Sequence, residues 1–335
     1  VDKAKIGEGD SNGYWFHPGY VYLEAKTCIM DFQWKGVMPA VTTKFNASDE
    51  LDLNLFEKNI KAQISAGVSG IILGGTLGEA STLEPAEREA LTKKALEITR
   101  EAIPVIVNIA EGSTRRAIRA AETAEAGGAN GLMVLPPMRY KPTGLETETY
   151  FREIAQSTGL PIMVYNNPVD YGTEVTLDMF EALMKDCPNI QAVKESTRDV
   201  SNVTRIKNRF GDRLKILCGV DTLALESLAM GADGWVAGLV CAFPRETVAI
   251  YALSSAGHLE EALAIYRWFL PLLELDINPQ LVQNIKLAEQ RVGLGSEAVR
   301  RPRLPLSGAE RQRVIGVIEA ALKQRPELPE YLKLL

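Results

Sequence analysis

From Gly36 onward, short apolar runs rich in β-branched residues alternate with longer stretches whose apolar residues recur every three or four positions. The runs are GVMPAVTT (36–43), GIILGG (70–75), PVIVNIA (104–110), GLMVLPP (131–137), PIMVYNN (161–167), IQAVKES (190–196), KILCGV (215–220) and GWVAG (234–238). Runs of this length, bounded by Gly, Pro or Asn, fit strands buried on both faces. Between them lie helical patterns such as DLNLFEKNIKAQISAG, EPAEREALTKKALEITR and STRRAIRAAETAEAGG, which open near Asp, Ser or Pro and in several cases stop at Gly. Eight strands, each followed by a helix, predict a (β/α)8 TIM barrel, an α/β fold. Past residue 240 the pattern is wholly helical, over 244–256, 258–276, 279–292 and 308–324, with Ser307 and Glu310 at capping-box spacing before the last. We therefore expect a barrel over 31–240, and over 241–335 its last helix with an appended C-terminal helical bundle. Residues 1–30 have no period of 2 or 3.6 and no secretory apolar core, and read as a leader or tag-like extension, or else as a native extension wrapping the barrel. A doubly wound sheet is the competing architecture. It would usually carry a Gly-rich dinucleotide turn after its first strand, and none follows AVTT; GGTLGE, after the second run, lacks the G-x-G-x-x-G spacing.

Composition narrows the function. The net charge of −6 argues against nucleic-acid binding, which needs a basic face. No 18-residue apolar run suggests a membrane partner. Four cysteines, Cys28, Cys187, Cys218 and Cys241, form no C-x-x-C pair, which speaks against a disulfide scaffold or a zinc site and for the cytoplasm. With only His17 and His258 in 335 residues, neither a Ser-His-Asp triad nor a multi-histidine metal site is expected. An enzyme of this composition moves protons with Lys, Tyr or carboxylates.

Three polar residues fall at the carboxyl ends of predicted strands, the functional face of a barrel. Thr76 follows the second strand, Tyr165 ends the fifth, and Lys194 ends the sixth, in PNIQAVKEST. Each has a plain structural alternative: a turn or cap for Thr76, a half-buried core tyrosine for Tyr165, and an ion pair with a carboxylate such as Glu79 for Lys194. Strand alternation leaves the direction of Lys194 open, since Ile190 and Ala192 share its parity. Chemistry accounts for all three together. A lysine among apolar barrel layers has a lowered pKa, so its neutral amine can attack a ketone and form a Schiff base. A nearby tyrosine can shuttle the protons. Thr76 and the amides of the glycine turn, expected at a helix amino-terminus, suit a carboxylate. The substrate implied is a 2-oxo acid.

GGTLGEASTL (74–83), YNNP (165–168) and KES (194–196) resemble, in order and spacing, the signatures of the dihydrodipicolinate synthase / N-acetylneuraminate lyase family of Schiff-base aldolases and lyases. The resemblance runs from about Gly36 past residue 320. It implies Lys194 as Schiff-base lysine, Tyr165 as proton-transfer tyrosine, and a substrate-binding set of Gly75, Thr76, Leu77, Asn167 and Gly238. It also implies a homodimer or homotetramer with no metal or organic cofactor.

Three positions depart from the synthase pattern. Leu77 stands where a second hydroxyl residue is usual. Asp170 stands where an arginine would bind the semialdehyde's carboxylate. LPPMRYKP replaces the stretch that carries a relay tyrosine, with Met138 at its place and Tyr140 nearby. VMPAVTT, LPPMRY and YNNPVDYG look more like the branch that deaminates 1-pyrroline-4-hydroxy-2-carboxylate, a cyclic imino acid. Alternatives are dihydrodipicolinate synthase itself, a pyruvate-releasing aldolase, a dehydratase of a 2-keto-3-deoxy sugar acid, and a catalytically inactive binding protein. RRAIR (115–119) reads as a solvated helix face, RRPR (300–303) as a loop between appended helices, and Glu79 as a buried organiser of the glycine turn. Nothing suggests an activated thiolate at Cys218 or Cys241.

Overall fold

The computed structural model describes residues 33–137 and 140–335, so the extension expected over 1–30 and the place of Met138 lie outside the described residues. The strands are β1 (Gly36–Pro39), β2 (Ile71–Leu73), β3 (Val105–Ile109), β4 (Gly131–Val134), β5 (Ile162–Asn166), β6 (Ile190–Glu195), β7 (Lys215–Cys218) and β8 (Gly234–Ala237). All are parallel, in the order β1-β8-β7-β6-β5-β4-β3-β2, and a bridge from Ala40 to Ile72 brings β1 to β2 and completes the ring. Every strand lies inside its predicted run. The runs are longer because they report burial, which continues into the loops at the carboxyl ends after strand pairing has stopped.

Helices α1 (Leu53–Ser65), α2 (Pro85–Thr99), α3 (Thr114–Ala126), α4 (Gly144–Gln156), the single turn α5 (Pro168–Tyr171), α6 (Leu177–Asp186), α7 (Ser201–Phe210), α8 (Ala224–Ala229) and α9 (Pro244–Ser255) follow the strands. Beyond them come α10 (Leu259–Leu273), α11 (Leu281–Arg291) and α12 (Gly308–Lys323). The glycine turn after β2 is separated from α2 by a short 3-10 turn, Ala80–Thr82. Thr76 therefore does not sit at a helix amino-terminus as expected. The capping box before α12 is also absent: Ser307 is the N-cap but its side chain caps nothing, and the Glu310 side chain pairs with Arg313 at 2.7 Å rather than reaching back.

The core has two layers. Met38, Ile72, Ile106, Met133, Met163, Ala192, Leu217 and Val236 fill the barrel interior, while the outward side chains pack against the helices. Register along β6 settles the direction of Lys194. A bulge opposite Ile162 and Met163 pairs Ile190 with Ile162 but Ala192 with Met163, leaving Gln191 exposed and re-aiming the strand, as bulges do. Ile190 consequently packs toward the helices, whereas Ala192 joins the interior cluster. Lys194 follows Ala192 by one strand repeat, so it points up the barrel axis.

The C-terminal helices are fastened to the barrel by buried charge. Lys44, after β1, meets Glu289 of α11 at 2.9 Å, and Glu289 also accepts from Thr42 at 2.6 Å. Glu79, beside the glycine turn, pairs with Lys286 of α11 and accepts from the Arg300 backbone at 3.0 Å. Glu79 thus organises the turn by tying it to α11 and the loop beyond. All four charged side chains are fully buried, and burial pulls Lys286 down to about 8. The RRPR loop is more than a connection, since Arg300 binds Glu87 at 2.6 Å and stacks on Phe45. RRAIR is exposed at all three arginines, as expected.

Removing one member of a buried ion pair strands the other in a medium of low dielectric. Glu289→Gln is expected to lower stability by about 3 kcal/mol, read as a lower urea midpoint with an unchanged m value. A midpoint within error of wild type would show that the Lys44 pair does not hold α11 in place.

Candidate active site

Gly75, Thr76, Leu77, Tyr165, Asn167, Lys194 and Gly238 all line one cavity of about 440 Å³ at the carboxyl end of the barrel. The fold thus brings together every residue that the sequence singled out for chemistry or substrate contact. Lys194 and Tyr165 are register partners on β6 and β5, and the Lys194 Nζ lies over the Tyr165 ring, 4.0 Å from its centre. Lys194 is 7% exposed, and among the described residues its amine makes no ion pair. Glu79, the structural partner considered from sequence, is committed to Lys286 instead. Burial lowers the pKa of Lys194, opposed by Tyr171, Asp276 and Asp221 nearby. A lysine in this setting holds a neutral, nucleophilic amine at lower pH than a solvated one.

Room for that side chain comes from Gly219, just after β7. A Cβ built there would lie 2.7 Å from both Cγ and Cε of Lys194 and 2.1 Å from Ser196 Oγ. The lysine stem therefore lies directly on the backbone of the neighbouring strand end. Beneath it, the fully buried Asp221 accepts hydrogen bonds from Trp235 Nε1 at 2.9 Å and from the amides of Gly238 and Leu239 at 3.2 and 2.9 Å.

The sequence NNPVDYG folds as α5, and each residue has a local reason to be there. Asn167 caps the turn by accepting from Asp170 N at 3.1 Å, Pro168 occupies the first helical position, and Gly172 ends the turn at a φ of 72°. This turn places Asp170 and Tyr171 over the mouth. The Asn167 amide donates to Tyr165 OH at 3.1 Å and to Asp170 Oδ2 at 2.8 Å, while Arg198 pairs with Asp170 Oδ1 at 3.2 Å. Tyr171 packs edge-on against Tyr165, with ring centres 5.6 Å apart, and its hydroxyl meets Thr76 Oγ1 at 2.7 Å. Burial pushes both tyrosines up to about 12, so each hydroxyl keeps its proton at neutral pH.

Among the lining residues that were not anticipated are Tyr171, Gly219, Arg198 and Asp276. Tyr171 had a readable signal, because the Asn-Pro…Gly capping pattern predicts a turn that carries it back over Tyr165. Tyr140, near the place where the synthase pattern has its relay tyrosine, is 55% exposed and does not line the cavity. Tyr171 instead stands beside Thr76. Asp276 comes from the α10–α11 connection, which no reading restricted to strand ends would find. Cys218 and Cys241 are raised by burial to about 11 and about 12, as inert thiols should be. Among the described residues no cluster of His, Cys, Asp and Glu could hold a metal ion, and no helix is long and apolar enough to cross a membrane.

Comparison with known proteins gives a consistent result. The sequence model of the dihydrodipicolinate synthetase family matches residues 33–321. The 4-hydroxy-tetrahydrodipicolinate synthase of Exiguobacterium sibiricum is 34% identical over 276 residues, covering 82% of this chain and 92% of that protein. That of Sorangium cellulosum is 33% identical, with 83% and 93% covered. Among solved structures, the 4-hydroxy-tetrahydrodipicolinate synthase of Methylacidiphilum fumariolicum superimposes with a TM-score of 0.82 at 27% identity, over 90% of this chain and 99% of that one.

Borohydride reduction in the presence of pyruvate should leave a pyruvate-sized adduct on Lys194. Because the neutral amine is the nucleophile, trapping should rise as pH passes upward through an ionisation below 10.5, the ordinary lysine value; a midpoint at or above 10.5 would contradict the geometry. Gly219→Ala should reduce the adduct at least about tenfold in protein with unchanged circular dichroism, since even the 1.4 kcal/mol of a tenfold change is modest against typical overpacking costs. Full labelling of that variant would show that Lys194 does not need the space.

Proposed function

The chain belongs to the dihydrodipicolinate synthetase family and is a lyase of the Schiff-base type, and within that family we propose that it deaminates 1-pyrroline-4-hydroxy-2-carboxylate to 2,5-dioxopentanoate and ammonia. The observation that carries this reading is Asp170. It holds the position where a synthase would present an arginine to a second carboxylate, and both of its oxygens are engaged, by Arg198 and Asn167. The far end of the cavity thus carries an acidic group with its charge offset, which suits a substrate whose distal atoms are a hydroxyl and an amine rather than a carboxylate.

In the proposed mechanism the substrate carboxylate sits at the glycine turn, with Gly75 and Thr76 as donors and Leu77 as an apolar wall. Lys194 adds to C2 of the cyclic imine, and the ring opens as the C2–N bond breaks; the departing nitrogen takes one proton from the Lys194 amine and one from Tyr165, leaving a protonated lysine Schiff base and a free amine on C5. The new iminium cation replaces a neutral lysine beside Tyr165, which favours the phenolate and makes Tyr165 a competent base for a C3 proton. Its electrons expel the C4 hydroxyl as water. Loss of a C5 proton and protonation at C4 then give a C5 imine, which water hydrolyses to the aldehyde and ammonia. Reprotonation at C3 and hydrolysis at C2 free Lys194. One water is lost and two are consumed, so the sum is substrate plus one water. Asn167 holds the Tyr165 hydroxyl in place, and the Thr76–Tyr171 pair offers a route for protons to solvent. No metal or organic cofactor is required.

A second reading, 4-hydroxy-tetrahydrodipicolinate synthase, is favoured by what the relatives are called and by Arg198, a cation that lines the cavity from the β6–α7 loop. Its guanidinium faces Asp170, which offsets its attraction for a second carboxylate. The proposal extends to a homodimer or homotetramer acting on small molecules in the cytoplasm, where the buried free thiols of Cys187, Cys218 and Cys241 would stay reduced.

Purified protein given the hydroxyproline-derived imine should release one ammonia for each 2,5-dioxopentanoate formed, with no pyruvate, and should not condense pyruvate with aspartate semialdehyde. Condensation without ammonia release would establish the synthase reading instead.

A further inference from the structure

We propose that Asp276 is the catalytic acid that protonates the departing C4 hydroxyl, a role that rests on the deamination reading above. Asp276 lies outside the βα loops that normally supply barrel chemistry. It sits in the connection from α10 to α11 and reaches into the cavity from the C-terminal helices, followed by Ile277, Asn278 and Pro279 on the same wall.

Elimination of hydroxide from carbon needs a proton donor at the leaving oxygen, and the candidates lining the cavity can be compared in turn. Asp170 has both side-chain oxygens engaged, Oδ1 by Arg198 at 3.2 Å and Oδ2 by Asn167 at 2.8 Å. Tyr165 is assigned to C3, directly beside the Lys194 amine. Tyr171 is engaged with Thr76 at the carboxylate end. Asp276 alone among these has no hydrogen-bond or ion-pair partner among the described residues. Burial first, and then the neighbouring Asp221, push its carboxyl well above the usual carboxylate range, with Lys194 opposing and Asp170 adding to the rise. An enclosed carboxylic acid next to other carboxylates holds its proton to higher pH than a solvated one, the direction a general acid needs.

Its position is also built. Asp276 Oδ1 lies so close to Gly238 that a Cβ there would be 2.6 Å away, and the Gly238 amide is in turn bound to Asp221. Gly238, expected from the family resemblance to contact substrate, lines the same cavity and also provides the seat for this carboxyl.

The step balances. As Tyr165 takes the C3 proton, the C3–H electrons form the enamine, and the enamine then expels the C4 hydroxyl. Asp276 gives its proton to that oxygen, which leaves as water. The Asp276 carboxylate next takes the proton lost from C5 and returns to the acid form. The proton that later reaches C4 comes from water, so no oxidant, reductant or further reactant is needed.

Three readouts on one preparation test the assignment: the borohydride-trapped pyruvate adduct on Lys194, deuterium exchange at C3 of the imino acid in D2O, and ammonia release. Asp276→Asn should keep the adduct and the C3 exchange while ammonia release falls about 10²- to 10⁴-fold, the usual contribution of a general acid. Asp276→Glu should recover part of that loss. Gly238→Ala, which displaces the carboxyl without removing it, should lower ammonia release by a smaller factor and also spare the adduct. Ammonia release by Asp276→Asn at the wild-type rate would overturn the proposal. So would a parallel loss of exchange and ammonia, which places Asp276 before the elimination. If the wild-type enzyme forms the pyruvate adduct but releases no ammonia, the deamination reading fails and the C4 assignment goes with it, an outcome distinct from a defect confined to the variant.

Discussion

An amine without a counter-ion, enclosed by apolar barrel layers, sets the terms for the rest of the site. Lys194 is nearly fully buried, rests on the face of Tyr165, and among the described residues meets no carboxylate at ion-pair distance. Placing an ammonium there is costly, and the lowered pKa is the way the protein accommodates it. Everything around the lysine conforms to that choice. Gly219 leaves out a side chain so the stem can lie flat, and the nearby Asp221 spends its hydrogen bonds on Trp235, Gly238 and Leu239. A carboxylate in contact with Nζ would restore the cation and remove the nucleophile.

The barrel alone does not complete the cavity. One wall is formed by residues 276–279 and Leu281, between and at the start of the C-terminal helices, and that segment is only as well placed as α11. Two buried pairs, Lys44–Glu289 and Lys286–Glu79, fix α11 to the loops after β1 and β2, while Arg300 adds contacts to Glu87 and Phe45. Buried pairs of this kind gain little over apolar packing, yet they tolerate one geometry only. Here that geometry aligns the glycine turn and the α10–α11 connection on opposite sides of the same mouth.

Charge within the mouth is divided by function. Burial disfavours the charged form of the lysine, Asp170 is balanced by Arg198, and Asp276 has no partner among the described residues. In the proposed chemistry these become the nucleophile, a fixed element of the distal wall and the acid. The tyrosines divide similarly, with Tyr165 beside the lysine and Tyr171 beside Thr76. Tyr171 is supplied from within the tyrosine motif itself, by the turn that Asn167 and Gly172 cap.

Local pattern was enough to read the eight strands, their helices and the three motif residues, because apolar runs and capping signals act over a few residues and because chemistry in a barrel gathers at strand ends. Lys194, Tyr165 and Thr76 were legible on that ground, and Asn167, Gly75 and Leu77 through the motifs around them. Other features depended on register or on contacts between distant segments. The bulge at Gln191 decides that Lys194 points inward, and a two-residue alternation cannot register one extra residue. Glu79 and Lys286 are 207 positions apart, Gly238 owes its role to Asp276, and Gly219 owes its role to Lys194. Sequence by itself therefore determined the fold class and the candidate nucleophile, whose signals are local; the tertiary structure decided which groups stand beside that lysine and which way burial shifts them, because burial and proximity exist only once the chain has closed on itself.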